Sequence, residues 1–409
     1  MRSLLVAQTF PWPPTGGGSI RVLHTLRALA DLGPVDLVAL HHPAREEPCV
    51  VPPDAPVERT FVRQAPPLAV RGPARLGWLL WGGEPLEMAG GRFAAAAAEV
   101  AAWARPAYDL VWCWRPHSVW VAPPVGPIVL DHDDLEDGKI RARLAALAAT
   151  PRSLGRRLRD AAAGVQARAD ARRWRTVQRR VASGVAAVSV CSETDRVRLE
   201  LASAVVIPNG YQLEGEPVGG APALHDPPTL LFQGSLVRPP NADAVSVLLR
   251  EVMPLVWERR PEVRVLLAGR ADDTIRRQAA DPRVEVTGWV RDMTGQLARA
   301  DAVVTPIRYG GGTRLKILEA FAHRLPVVST PAGAEGLDAE DGRHLLLADQ
   351  SARFAEAVLR LLADEPLRVR LAEEAFALYE ARYRWDAIRR RMRGLARTVA
   401  GRTPEVKVR

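Results

Sequence analysis

The stretch "RYGGGTRLKILEAFAHRLP", Arg308–Pro326, sets three consecutive glycines between the apolar run "DAVVTPI" and an apolar helical period. One other stretch has this layout. "PPTGGGSIRVLHTLRALADLG", Pro13–Gly33, follows "SLLVAQT" and carries Gly16, Gly17 and Gly18. These and Gly310, Gly311 and Gly312 are the only glycine triplets in the chain. Glycine lets backbone N–H groups approach an anion closely, and the start of a helix adds partial positive charge. Two strand–glycine–helix junctions, one in each half, point to two α/β domains that meet a phosphate group with their loops.

The sequence outward from these junctions agrees. "SLLVAQT", "VDLVALH", "YDLVWCWR", "GPIVLDHD", "GVAAVSVCS" and "AVVIPNG" read as buried strands alternating with helical periods. Ser19 is placed to cap the first helix. "EGEPVGGAPALHDPP" has no apolar period and reads as a linker. The alternation then resumes with "TLLFQGS", "VRVLLAGR", "VEVTGWV", "DAVVTPIR", "PVVSTP" and "HLLLA", and ends in helices. The expected fold class is α/β, with two Rossmann-like domains facing a cleft and C-terminal helices packing back on the first domain. The expected boundaries are residues 1–213, a linker at 214–228, residues 229–383, and a returning segment at 384–409.

Within Arg308–Pro326, Thr313 can cap the helix, and Gly312, Lys316 and Glu319 share one face at i, i+4 and i+7. Leu315, Leu318 and Ala322 form an apolar face for the sheet. Arg314 in the first turn opposes the helix dipole, which a bound dianion would reverse. Lys316 is one of three lysines among 56 basic residues, so its retention in a glycine-rich junction asks for a chemical reason. Glu319 can accept two hydrogen bonds from a ribose diol. The plainer alternative is a Lys316–Glu319 surface ion pair.

The chain has 409 residues, a formal charge of +9 and three cysteines without a CxxC spacing. That cysteine set suits a reducing compartment, and no segment has the roughly 20 apolar residues of a membrane span, so a cytoplasmic protein is expected. Twelve arginines between Arg141 and Arg180 face only Asp160 and Asp170, a local excess of ten. No aromatic platform or nucleic-acid motif accompanies this charge, so nucleic acid is not an expected partner. The alternatives are a solvated helix face and peripheral contact with an anionic membrane. "LDHDDLEDGK" gathers Asp131, His132, Asp133 and Asp134 at the end of a strand. Asp131 and Asp133 also read as D-x-D, a metal-binding pattern in a different transferase fold.

Together the residues resemble retaining glycosyltransferases of family 4, also called glycosyl transferases group 1, with the GT-B fold. The resemblance rests on "FQGSLVRPPNADA", "VEVTGWVRD", "GGGTRLKILEAFAHRLPVVSTPAGAEGL" and "HLLLAD". In the first half it rests on the Gly16–Gly18 loop, "DHDDLE", "VSVCSETDR" and "VIPNG". It implies a nucleoside diphosphate sugar as donor, no cofactor and no metal. Gly16, Gly17 and Gly18 would approach the donor phosphates and sugar. Gly234 and Ser235, Gly288, Trp289 and Val290, and Gly310, Gly311, Gly312 and Thr313 would line the nucleotide, with Glu319 on its ribose. Arg314 and Lys316 would neutralise the leaving diphosphate. His132, Asp133 or Asp134 would meet the sugar or polarise an acceptor hydroxyl. Two departures stand out. The first glutamate of the family's pair falls on Gly311, and its usual phosphate-binding Arg and Lys fall near Ser235 and Pro240.

The expected activity is sugar transfer with retention to an acceptor nucleophile, a small molecule such as a natural-product or antibiotic intermediate. The alternatives are a lipid or cell-surface glycan acceptor, an epimerase or phosphorylase of the same fold, and a catalytically silent nucleotide-sugar-binding protein. In the acceptor region, Trp78 and Trp81 could stack on a ring or pack in the core.

Overall fold

The computed structural model describes the chain except residues 42–47, 69–73, 150–153, 221–222, 312–313 and 402–409, and the side chains of 74, 148–149 and 154–162. It divides into two compact units, Met1–Pro208 with Asp386–Arg409, and Asn209–Trp385. The strands of the first are β1 (Ser3–Ala7), β2 (Val35–His41), β3 (Arg59–Gln64), β4 (Leu110–Trp114), β5 (Ile128–His132), β6 (Ala187–Val190) and β7 (Val205–Val206). Those of the second are β8 (Thr229–Gln233), β9 (Arg264–Ala268), β10 (Val284–Gly288), β11 (Ala302–Thr305), β12 (Val327–Ser329) and β13 (Leu346–Leu347).

Both sheets are parallel and have the same order. The first runs β3-β2-β1-β4-β5-β6-β7 and the second β10-β9-β8-β11-β12-β13. In such sheets ligands bind beyond the carboxyl ends where the winding reverses, between β1 and β4 and between β8 and β11. The two triplets therefore hold different places in the winding. Gly16–Gly18 follows the first strand of its sheet, and Gly310–Gly312 the fourth, but both adjoin a reversal point.

Parallel strands buried on both faces need continuous apolar runs. In the second unit Leu230 and Phe232 of β8 pack on one side with Val265, Leu267 and Val304. Leu231 faces the other side with Leu266, Val303 and the Ile317, Leu318 and Phe321 of the Leu315–Ala322 helix. That packing fixes which face of the helix turns away from the core.

Residues 214–228, expected as a linker, are part of the second unit. Gly219 N–H donates to His323 O at 2.8 Å, and His225 pairs with Asp301 at 2.9 Å. The Trp385–Ala400 helix packs on the first unit as expected. Arg389 reaches His24 Nδ1 at 3.2 Å, and Arg393 reaches Asp31. Among the described residues no helix is long and apolar enough to cross a membrane.

Candidate functional site

In the second unit, the ends of β8, β9 and β10 are set side by side by glycines. Gly234, Gly269 and Gly288 all have positive φ, 122°, 140° and 73°. A Cβ on Gly269 would lie 1.9 Å from Gly234 O, which bars a side chain at that position. Trp289 beyond it is 68% exposed, and Val290 half-buried.

The helix after β11 begins at Leu315, with Arg314 as its capping residue. Gly312 and Thr313, expected glycine and cap, lie outside the described residues. Gly310 has φ 139°, and a Cβ there would be 2.9 Å from the Arg314 guanidinium. Arg314 instead donates to Gly311 O at 2.7 Å and Ala332 O at 3.4 Å. Gly311, where the resembled pattern has a glutamate, thus anchors the loop through its backbone.

Lys316 does not lie on an open face with Glu319 as its partner. Its ammonium donates to Asn241 Oδ1 at 2.9 Å and sits 4.0 Å from the centre of the Phe232 ring. Burial and the charge of Arg314 lower its pKa to about 7, with Glu319 opposing. Glu319, one turn further on, accepts from Gln233 Nε2 at 3.4 Å and bonds the Tyr211 hydroxyl. Burial raises its pKa to about 7 against these hydrogen bonds and Lys316. The Tyr211 hydroxyl is pushed up by burial and by Glu319, and lies 3.3 Å from His323 Nε2. A desolvated cation and a desolvated carboxyl, one helical turn apart and beside a glycine row, can take a phosphate and a diol respectively.

Sequence reading missed Phe232, Gln233, Asn241, Tyr211 and Gly269. Gly269 was signalled by its place after "VRVLLA". Asn241 and Tyr211 reach the site from a distant segment, and spacing around Lys316 carries no trace of them.

In the first unit, Gly16 caps the Gly17–Ala30 helix in an extended conformation, φ −138°. Ser19 is not the cap. It lies in the first turn and reaches back, its hydroxyl accepting from Gly16 N–H at 3.1 Å and donating to Gly16 O at 2.8 Å. The first intrahelical bond runs from Ile20 N–H to Gly16 O, so Gly17 and Gly18 occupy the turn whose N–H groups point outward. A Cβ on Gly18 would meet the Trp114 ring at 2.8 Å, which excludes a side chain there.

The four residues at the end of β5 separate. Asp131 is fully buried and accepts from Arg21 at 2.6 and 2.9 Å and from Ser189 at 2.8 Å. Arg21 also donates to Ile207 O and Pro208 O. Asp131 is thus a structural anchor, and the D-x-D reading loses its first carboxylate to an arginine. Among the described residues no group of three or more His, Cys, Asp or Glu side chains is arranged to hold a metal. His132 is 1% exposed, and among the described residues neither ring nitrogen has a hydrogen-bond partner. Burial lowers its pKa to about 4, with Glu136 opposing, so the ring is neutral at neutral pH.

Asp133 and Asp134 share Arg115 at 3.6 and 3.2 Å. Asp133 also accepts from Cys191 Sγ at 3.6 Å, and Lys139 lies 3.5 Å from Asp134. Burial raises the Asp134 pKa, with Lys139 and Arg115 opposing. Burial acts likewise on Glu136, but Lys139, Arg115 and His117 prevail and hold it at about 2. Arg115 has φ 70°, a strained conformation for a residue with a side chain. Arg115, Lys139 and Glu136 were not legible as site residues.

Of the basic stretch, Arg156, Arg157 and Arg159 lie outside the described side chains. Arg173 stacks 4.2 Å from the Trp78 ring and donates to the carbonyls of Trp78 and Leu79. Arg175 and Arg179 pair with Glu200. Trp78 is buried in this packing, whereas Trp81 is 82% exposed.

Residues 227–364, which hold the whole second-unit site apart from Tyr211, match the family model described as Glycosyl transferases group 1. A phosphatidyl-myo-inositol mannosyltransferase of Mycobacterium leprae (strain TN) is 32% identical over 216 residues, 50% of this chain and 56% of that protein. The chain thus spans about half the length of the curated relatives it matches. Sucrose-phosphate synthase of Thermosynechococcus elongatus superposes with a TM-score of 0.68 at 19% identity, covering 97% of this chain and 98% of that one. Anabaena Alr3699/HepE, solved in complex with UDP and glucose, superposes with a TM-score of 0.64 at 15% identity, covering 98% and 100%. Residues 227–364 are thus similar to the glycosyl transferases group 1 family, and the chain takes the two-domain α/β fold of GT-B glycosyltransferases.

Proposed function

We propose that the chain is a retaining glycosyltransferase that moves a sugar from a nucleoside diphosphate donor to an acceptor hydroxyl. The observation that carries this reading is a half-buried Lys316 ammonium and a half-buried Glu319 carboxyl, one helical turn apart, beside the Gly234–Gly269–Gly288 row. Neither group gains from burial unless something completes it. Lys316 and Arg314 would neutralise the diphosphate, Glu319 would accept from the ribose diol, and Gly288–Val290 would border the base. In the transfer, the bond from the anomeric carbon to the phosphate oxygen breaks as the bond to the acceptor oxygen forms on the same face. The acceptor proton passes to the leaving diphosphate. The protein supplies charge stabilisation and orientation. Gly16–Gly18, His132, Asp133 and Asp134 would serve the sugar and the acceptor. Support for the donor class comes from the family match and from the UDP and glucose in the HepE structure. We read the enzyme as cytoplasmic, in keeping with its buried Cys113 and Cys191 thiols, and as active without a metal.

The acceptor is read as a small molecule. A lipid acceptor is the second reading, favoured by one observation: Leu76, Leu80 and Trp81 are exposed together on the Ala74–Trp81 helix, beside Arg173 and its neighbours. The relative named for phosphatidyl-myo-inositol fits that reading. Mass spectrometry of reactions with a panel of nucleoside diphosphate sugars and both acceptor classes tests the proposal, with NMR of the new anomeric bond. A product joining sugar and acceptor with the donor's configuration is expected. Conversion of the donor without any acceptor would replace the proposal with epimerisation, and an inverted product would overturn retention.

A further inference from the structure

Beyond β8 the chain runs Gly234-Ser235-Leu236-Val237-Arg238-Pro239-Pro240. Pro239 and Pro240 open the next helix and place Asn241 in its first turn. The Asn241 amide is held at both ends. Its Nδ2 donates to Ser235 O at 2.8 Å, and its Oδ1 accepts from Lys316 Nζ at 2.9 Å. This orientation is self-consistent, because a flipped amide would turn its NH2 toward the ammonium. Gly234 makes room for the arrangement. A Cβ there would lie 3.3 Å from Asn241 Nδ2 and 3.6 Å from Lys316 Nζ. The Phe232 ring covers a third side of the ammonium.

We infer that Asn241 is a positioning residue: its amide holds the Lys316 ammonium over the end of β8, where the donor diphosphate arrives. The inference rests on the donor reading proposed above. A lysine carries four rotatable bonds and about 2 kcal/mol of rotamer freedom, so a lone lysine needs a clamp to act at a fixed point. The clamp is neutral for a reason. A cation at 241 would repel Lys316, and a carboxylate would hold it but repel the diphosphate. The charged groups that bear on Lys316 are Arg314 and Glu319, both from its own stretch. β8 and the helix after it present Phe232, Gly234 and Asn241, and Asp243 on that helix is taken by Arg308 at 2.9 Å. One of the three ammonium protons goes to Asn241, which leaves two for phosphate oxygens.

The chain has only three lysines, Lys139, Lys316 and Lys407. Lysine labelled at Cε therefore gives an NMR titration in which Lys316 is assigned by its loss in Lys316→Ala. Asn241→Ala should lower the Lys316 titration point from about 7, by about one pH unit, and leave Lys407 unmoved. Asn241→Asp should raise it. In parallel, calorimetry with nucleoside diphosphates between pH 7 and 9 should show wild-type affinity falling about tenfold per pH unit once the ammonium is lost. Asn241→Ala should bind about tenfold more weakly at pH 8, with affinity for the bare nucleoside unchanged. Asn241→Asp should bind the diphosphate more weakly even at pH 7, despite its better-protonated lysine. A Lys316 titration unmoved by Asn241→Ala, or equal losses for nucleoside and diphosphate, overturns the inference and leaves the donor reading standing. Failure of the wild-type protein to bind any nucleoside diphosphate overturns both.

Discussion

Lys316 and Glu319 carry opposite costs, and each leaves a mark on stability. The Glu319 pKa rises from 4.5 to about 7, so the folded protein holds that proton more tightly than the unfolded chain. The associated stability is present below pH 4.5 and is lost as the pH climbs through 7. The Lys316 pKa falls from 10.5 to about 7, so its stability is present above pH 10.5 and is lost as the pH drops toward 7. The ligand-free site is therefore least favourable near neutrality, where it would meet its donor. Glu319→Gln should stabilise the free second unit at pH 7.5 by on the order of 2 kcal/mol, seen as a melting-temperature rise of roughly 4–8 °C. The same variant should bind nucleoside diphosphates more weakly by about 1.5–3 kcal/mol. Calorimetry and thermal melts side by side check this opposition; unchanged affinity would make Glu319 structural. Lys316→Ala should lower turnover by about 2–4 kcal/mol of transition-state stabilisation with the fold intact, measured as kcat/KM at saturating acceptor.

Among elements, the Gly17–Ala30 helix packs Val22, Leu26 and Leu29 in the interior and adds a buried ion pair to its sheet. Arg21 ties Asp131 of β5 to the carbonyls of Ile207 and Pro208, with both side chains fully buried. Removing one partner strands the other charge, so Arg21→Ala should cost about 3–5 kcal/mol in a denaturant titration. Gly18→Ala should cost about 1–3 kcal/mol by forcing a Cβ against Trp114. The contrast between Arg21 and Lys316 also shows what the sequence could reveal. The buried strands were legible because parallel pairing demands apolar runs, and β1, β4, β8 and β9 are such runs. β3, "RTFVRQ", was not, because an edge strand with half-exposed charged residues has the composition of a loop. The Lys316–Glu319 helix was legible from local spacing. Its environment was not: Asn241 lies 75 residues from Lys316, and Arg21 lies 110 residues from Asp131. Spacing along a helix gives the face a residue shares but not what the fold brings against it.

At the scale of the whole molecule, one order of six strands is built twice, with a seventh added in the first unit, and the two units place different side chains at the strand ends. The second has the glycine row at the ends of β8, β9 and β10, with Lys316 and Glu319 beside it on the helix after β11. The first surrounds the end of β5 with Arg115, Lys139, Asp133, Asp134 and Glu136, and leaves His132 neutral and, among the described residues, without a hydrogen-bond partner. On the proposed reading, acceptor choice would turn on the first unit's surface. If the exposed Leu76, Leu80 and Trp81 serve a bilayer, vesicle flotation should show binding to anionic lipid that Trp81→Ala weakens at least severalfold. Equal flotation with and without anionic lipid would favour a soluble acceptor.

On the proposed reading, Lys316 and Glu319 organise the second unit as a donor site. Isothermal titration of uridine, guanosine, adenosine and thymidine diphosphates into the wild-type protein and into Lys316→Ala at pH 7 tests it most directly. At least one diphosphate should bind the wild type and lose tenfold or more in Lys316→Ala, an effect of about 1.4 kcal/mol or larger. Equal affinity in the two proteins, or no binding to either, would contradict it.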